Sequence, residues 1–445
     1  MDIIQLSDRV EALVKGSDID GYEIMASSSR NLSIEVKEGK VDTFKSAEPI
    51  GVSIRLLKNG SMGFSFSSGF EDADLTRMIE SAAIGARMQS PDPAHIFPDA
   101  AGYAEMPHLF DQTLAAVSTA EKVELTLSLE RLTLAADSRI KRLRKASYGE
   151  SVYSIHLRNS NSVFGSYSGT MASCSVAAIA EADGDAQMGW DYAVATGPGG
   201  IDISLVAAEA ARKAVSQLGA VKIAGMKAPA VFDAATASEL LGLLSPSFSG
   251  ESLFKGKSLL KGREGEQLFS PLVSIVDDGT LPGATSTAPF DGEGVPTRRT
   301  SLVSCGVLEG FLFDSAYAVR MGKTSTGNSA RGGFKSIPYV GVSNLFIENG
   351  QSSLQQLFSG ISRGLLITSL IGMHTANPVS GDFSVGANGL LIENGQITSA
   401  VKGMAISGNI LEIFANIDAV ADNRRLVDSV SSPAFRVSHL DISGS

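Results

Sequence analysis

The sequence is poor in the residues that usually announce chemistry. Only two of its 445 residues are cysteine, Cys174 and Cys305. They have neither CxxC spacing nor the density of a disulfide framework, so a zinc ribbon and a stapled secreted fold are unsupported and a reducing cytoplasm is the expected location. There are five histidines, and none is followed three to five positions later by another, which leaves no helical HExxH-type metal pair. No window offers the roughly 20 uninterrupted apolar residues of a membrane helix. The opening MDIIQLSDRVEALVKG lacks the basic flank and apolar run of a secretory signal. Bases are outnumbered 37 to 48, for a net charge of −11, which disfavours general affinity for phosphate backbones.

What is present describes an ordinary globular chain, 43% hydrophobic and 19% charged, long enough for two or three cores. Apolar spacing predicts helices over 72–88 (Leu75, Ile79, Ala82 and Ala86, stopped by SPDP) and over 118–137, opened by the capping box Ser118-x-x-Glu121. Two more are predicted over 204–219 and over 406–421, where Ile406, Ile410, Ile413, Phe414 and Ile417 recur at helical intervals. Val52, Ile54 and Leu56 alternate up to Asn59-Gly60, and Met62, Phe64 and Phe66 alternate away from it. That pattern reads as a hairpin, because both central residues of the favoured turn need positive φ. The pentapeptide IENGQ, at 347–351 and 392–396, reads as the same turn used twice rather than a duplicated unit. MKAPAVFD (226–233) reads as an edge strand, with Pro229 barring it from a central place. The basic run RIKRLRK (139–145) reads as a solvated helix end and loop.

Proline and small residues mark boundaries near 93–115 and 219–228. The fold class expected is α+β, with mixed or antiparallel sheet and long helices in an N-terminal domain (1–110) and a central domain (111–222). A glycine-rich, strongly curved, β-rich domain with a few helices is expected over 223–445.

The histidines can be taken one at a time. His95 and His108 fall in the proline-rich linker. His156, in VYSIHLRN, reads as a half-buried or edge strand residue, and His439, in VSHLDI, is also strand-like. His374 lies in GMHTANPVSGDFSVGANG, beside Ser380 and Asp382, in a glycine-flanked loop of the kind that lines clefts. A Ser/His/Asp set can be drawn from these three, but the strand–GxSxG–helix elbow that positions such a serine is absent. They read first as a structural loop or as polar contacts for a bound peptide. ATGPGGID has no lysine followed by Ser/Thr, so it reads as a loop entering a helix rather than a phosphate cradle.

Several stretches together resemble the TldD/PmbA family, and within it the PmbA (TldE) branch. They are MKAPAVF (226–232), the long run from STAPFDGEGVPTRRT to GKTSTGN (286–328), and SGDFSVGANGLLIENGQ through IDAVADN (380–423). SPDP (90–93) and NLSIEVKEGKVDTF (31–44) fit the family's N-terminal region. The resemblance implies a cytoplasmic heterodimer acting as a zinc peptidase on unfolded or extended peptides, including ribosomally made ones. The family's catalytic subunit carries HExxxH on a helix and a cysteine near its C-terminus.

Aligned through the downstream glycine, that helical pattern falls on Leu241 to Pro246 (LGLLSP), with Leu241, Gly242 and Pro246 at the ligand and base positions. The cysteine position falls near Ser429 to Ser431. A catalytic zinc takes about three protein ligands and an open position for water, and neither stretch supplies one. The resemblance therefore implies a subunit that binds no metal or other cofactor and is inactive alone. It would pair with a TldD-like catalytic subunit, with a homodimer possible without it, and would touch peptide but not nucleic acid or membrane. Two alternatives stand beside it: an autonomous hydrolase built on His374 with Ser380 or Asp382, and a protein-binding regulator of gyrase or toxin–antitoxin systems, suggested by the family's name as a gyrase modulator.

Overall fold

In the computed structural model, which describes residues 2–444, the first half is built on one antiparallel sheet. Helix α1 (Ile3–Val14) leads into β1 (Gly21–Lys37), β2 (Lys40–Ala47), β3 (Ile50–Lys58), β4 (Ser61–Ser67) and α2 (Asp72–Arg87). Then come α3 (Thr119–Ala135), β5 (Ile140–Asn159), β6 (Phe164–Ala182), β7 (Asp185–Ala195) and α4 (Ile203–Ser216). The sheet order is β4-β3-β1-β5-β6-β7, with β2 also on β1. Because β1 pairs with β5 from Glu23 to Val36, the N-terminal and central segments share one curled half-barrel.

The helices cover one face of this sheet. Leu6 and Val10 of α1 and Leu75 and Met78 of α2 pack on Ile24, Val52 and Ile54. Val206, Ala210 and Ala214 of α4 pack on Val176 and Ala178. Strand alternation turns Met25, Ser27, Tyr153, Ile155 and Tyr167 to the opposite face.

Local signals account for several elements. The Ser118 hydroxyl accepts from the Glu121 N–H while the Glu121 carboxylate accepts from the Ser118 N–H, the reciprocal capping box that starts α3. Asn59 and Gly60 take φ of 50° and 76° between β3 and β4, the geometry a two-residue hairpin requires. Asp202 caps α4 by accepting from the Ser204 and Leu205 N–H groups.

The second half begins with β8 (Met226–Phe232), α5 (Ala234–Leu244), α6 (Gly250–Phe254), β9 (Ile275–Asp278), β10 (Arg299–Ser304) and β11 (Val307–Leu308). It continues through α7 (Ser315–Met321), β12 (Ser329–Ala330), β13 (Tyr339–Val340), β14 (Leu345–Ile347) and β15 (Arg363–Ile371). It ends with β16 (Asp382–Glu393), β17 (Gln396–Asn409), α8 (Ile410–Ala415), β18 (Ile417–Val420), β19 (Val430–Ser431) and β20 (Phe435–Ser443). The run β17-β16-β15-β8-β20 closes on itself through β20–β17 pairing, with β18 on the outer side of β20. The result is a small barrel whose interior and flanking helices share a core of Phe232, Phe383, Ile406, Phe414 and Phe435. A second sheet, β11-β10-β9-β14-β19, lies beside it. The α+β class and the strongly curved second half agree with the sequence reading.

Five local expectations are corrected. Residues 406–421 are not one helix: the end of β17, the six-residue α8 and β18 divide them. Ile406 and Ile417 face the barrel core from strands, which mimics a helical repeat. MKAPAVF is central, between β15 and β20. Pro229 is tolerated because the β20 ladder skips from Val437↔Ala230 to Leu440↔Ala228, a bulge that asks no N–H of it.

Of the two IENGQ segments only 392–396 is a hairpin, with Asn394 and Gly395 at φ 51° and 77°. At 347–351 the chain runs on, and the Gly350 N–H donates to the Ala421 carbonyl at 2.8 Å. The basic run enters β5 rather than ending a helix, and its cations pair across the strand, Arg142 with Glu181 and Lys145 with Glu35. His156 is fully buried on a central strand. Neither ring nitrogen has a partner, and burial, reinforced by Arg158, pushes its pKa down.

Candidate functional site

A cavity of about 710 Å³ opens where the uncovered face of the half-barrel meets the second half. Met25, Tyr153, Ile155 and Tyr167 form one wall; Phe290, Asp291, Asn328, Ser329, Arg331 and Phe334 form the other, and Ser429 reaches its edge. Its aromatic side is a cluster in which Tyr167 and Phe290 meet at 5.1 Å, nearly edge to face.

Beneath it lies a buried charge cluster that joins the two halves. Glu23 of β1 and Arg55 of β3 are cross-strand partners, and Arg55 Nε donates to Glu23 Oε1 at 2.9 Å. Arg55 also reaches Glu293 at 3.1 Å, and Arg331 donates to Glu23. Burial alone would raise the Glu23 pKa, but the adjacent Arg331 and Arg55 overcome it and hold the carboxyl low. Asp291 accepts from the backbone N–H groups of Glu293, Val295 and Ser329. Burial, with Glu293 close by, pushes its pKa up to about 7. Burial likewise raises Asp277 to about 6, although Asn328 Nδ2 donates to it at 2.6 Å.

The expected metal seat is assembled from two distant segments. Asp233 caps α5 by accepting from the Thr236 N–H at 2.9 Å. Along its buried face Leu240, Leu241 and Leu244 enter the main core. α5 packs on β19, and Ser238 Oγ accepts from the Ser432 N–H at 2.9 Å. The 241–246 window and residues 429–431 thus belong to neighbouring elements.

The side chains there do not fit a zinc ion. Leu241 has no lone pair, Gly242 has no side chain, Pro246 is exposed, and the facing stretch offers only serine hydroxyls. Among the described residues no three His, Cys, Asp or Glu side chains converge as metal ligands. Cys174 is buried and Cys305 exposed, both as free thiols.

The other candidate residues lie away from this cavity. His374 sits in a turn, Met373–Thr375, and is exposed, as are Ser380 and Asp382. Ser380 and Asp382 are brought together, the Asp382 N–H donating to Ser380 Oγ at 3.3 Å. Asn409 Nδ2 donates to the Asp382 carboxylate at 2.9 Å, and this bond, followed by the Ser380 hydroxyl beside it, lowers the Asp382 pKa. His374 bonds to neither among the described residues, so no Ser/His/Asp relay is formed.

Sequence reasoning did not single out Arg331, Asp291, Glu23 or Arg55. The local pattern, YEI at 22–24 and IRL at 54–56, is the apolar–charged alternation of a strand with one solvated face, so nothing near Glu23 or Arg55 marked either charge as buried.

Comparison with known proteins gives a consistent result. Residues 22–86, 112–218 and 225–444 match, in turn, domain 1, the central domain and the C-terminal domain described for the PmbA/TldA metallopeptidases. The chain is 28% identical to the metalloprotease PmbA of Escherichia coli O157:H7, covering 96% of this chain and 92% of that one. A crystal structure of a proposed modulator of a DNA gyrase from Thermotoga maritima superposes with a TM-score of 0.91 at 28% identity, covering 99% and 100% of the two chains. TldE from Thermococcus kodakarensis superposes at 0.90 with 25% identity and 99% coverage of both. No helix among the described residues is long and apolar enough to cross a membrane.

Proposed function

The chain belongs to the PmbA/TldD metallopeptidase family, and from that premise we propose that it is the non-catalytic, TldE-like subunit of a TldD/TldE-type zinc peptidase. In this reading the chain pairs with a TldD-like subunit in the cytoplasm. The catalytic partner supplies the metal, the water it activates and the base, and this chain supplies wall and shape. The substrates are unfolded and ribosomally made peptides, because a folded domain cannot enter an enclosed cleft as an extended strand does.

One observation carries the reading. α5 and the 429–431 segment belong to packed, adjacent elements, yet leucine, glycine, proline and serine stand where ligands and base are required. With no lone pairs on Leu241, no side chain on Gly242 and a proline at 246, the window itself contributes packing rather than ligands.

The test is reconstitution. The purified chain is expected to carry no stoichiometric zinc and to leave unfolded casein intact, whereas mixing it with the HExxxH-bearing partner yields chelator-sensitive cleavage. Stoichiometric zinc together with chelator-sensitive proteolysis by the chain alone overturns the assignment.

A further inference from the structure

The charge cluster leaves one cation incompletely satisfied. The Arg331 side chain is 3% exposed and carries five N–H donors. Its Nη2 donates to Glu23, while Nη1 has only the soft thioether of Met25 at 3.6 Å and Nε has no partner. Ser329, two residues earlier, also has a buried hydroxyl without a partner. Buried donors without acceptors are uncommon, because each loses its bonds to water. Arg331, Ser329 and Met25 all line the 710 Å³ cavity, so the guanidinium, with its Nη1 held only by the Met25 sulfur, stands in the wall of a space of ligand size.

We propose that this cavity takes an extended peptide by its carboxylate, with Arg331 as the recognising residue. The peptide as occupant rests on the function proposed above; the carboxylate rests on the donors. A guanidinium is a planar fork matched to carboxylate geometry, and charge-assisted bonds to it are the strong ones. Exposed Lys335, also in the lining, adds a second cation at the rim, 5.5 Å above the Phe334 ring.

The acid in the lining, Asp291, is already engaged by three backbone N–H groups. Its pKa, raised by burial to about 7, leaves it partly neutral near neutral pH, which lessens its repulsion of an incoming carboxylate. The aromatic wall of Tyr153, Tyr167 and Phe290 gives the rest of the peptide apolar surface without selecting one sequence. Two sources of the carboxylate share this chemistry, a free C-terminus and an acidic side chain.

Calorimetry on the full single chain separates them with three probes: an alanine–phenylalanine hexapeptide with a free C-terminus, the same peptide as its C-terminal amide, and an amidated version with an internal glutamate. The free acid is expected to bind about tenfold or more tighter than the plain amide, as loss of a charge-assisted pair requires. An equal gain for the internal glutamate assigns the site to acidic side chains instead of termini and still supports it. Arg331→Lys, which keeps the charge and loses the fork, is expected to remove most of that preference.

If Arg331→Lys lowers the melting temperature, the wild-type protein crystallised with the acid peptide decides. A carboxylate on Arg331 upholds the assignment, and one seated elsewhere overturns it. Equal affinity of all three probes for the wild-type chain sinks the inference yet leaves the subunit role standing, since that role is judged by activation of the catalytic partner.

Discussion

α5 with the 429–431 segment beside it, and the junction of Glu23, Arg55, Glu293 and Arg331, are both buried and both built from segments far apart in sequence. The first gathers no set of three metal-ligating side chains among the described residues; the second packs two carboxylates against two guanidinium groups. The contrast separates two uses of buried polarity. At a catalytic metal seat, donors must be left free for metal and water, whereas the 241–246 window puts leucine into the core. At the junction the carboxylates are each met by a guanidinium, and only Arg331 keeps donors to spare. A buried ion pair adds little stability over an apolar substitute but penalises every arrangement that leaves it unpaired. The cluster therefore fixes how the half-barrel meets the second half, and with that the shape of the cavity between them.

Breaking the junction is the strongest way to test this contrast. Arg55→Ala takes from buried Glu293 the cation it pairs with, leaves Glu23 with Arg331 alone, and is expected to cost about 4 kcal/mol, read from urea unfolding. A loss below about 1 kcal/mol shows that the cluster is solvated and not a structural lock. At the other place, Leu241→Ala is expected to cost about 3 kcal/mol through the hole it leaves, while the folded fraction, mixed with its catalytic partner, keeps full specific activity. Lost activity at unchanged stability places α5 in the chemistry after all.

The smallest effect is on pH dependence. The Asp291 pKa of about 7 lies above its unfolded value, so folding favours the protonated acid. Its contribution is complete below the unfolded pKa and is lost as pH rises through about 7. Asp291→Asn is therefore expected to flatten the decline in melting temperature between about pH 4 and 7. A slope equal to that of the wild type places the titration elsewhere.

How much of this was legible follows from the range of each interaction. The capping box at Ser118 and the Asn59-Gly60 turn are settled within a few residues, and both were readable. The isoleucines at 406–417 were misread because strand, short helix and strand in succession reproduce a three-to-four-residue repeat. Pro229 was misread because the bulge that accommodates it lies at 438–439, some 200 residues away. The cavity was illegible for the same reason. Met25 and Arg331 are 306 positions apart, and nothing near either announces the other. The significance given to the 241–246 window comes from resemblance alone, since leucines on a helix carry no local sign of a metal site.

The barrel closes through its last described strand. β20 lies between β8 and β17, so the opening strand of the second half has its neighbour on one side only when residues 435–443 have emerged from the ribosome. The half-barrel draws every strand from residues 21–195 and can assemble well before that. Synthesis thus imposes an order, in which a finished first half waits beside an open ring. Blocking the Phe435–Ser443 segment during translation should strand the nascent chain with one half native and the other exposed to proteases.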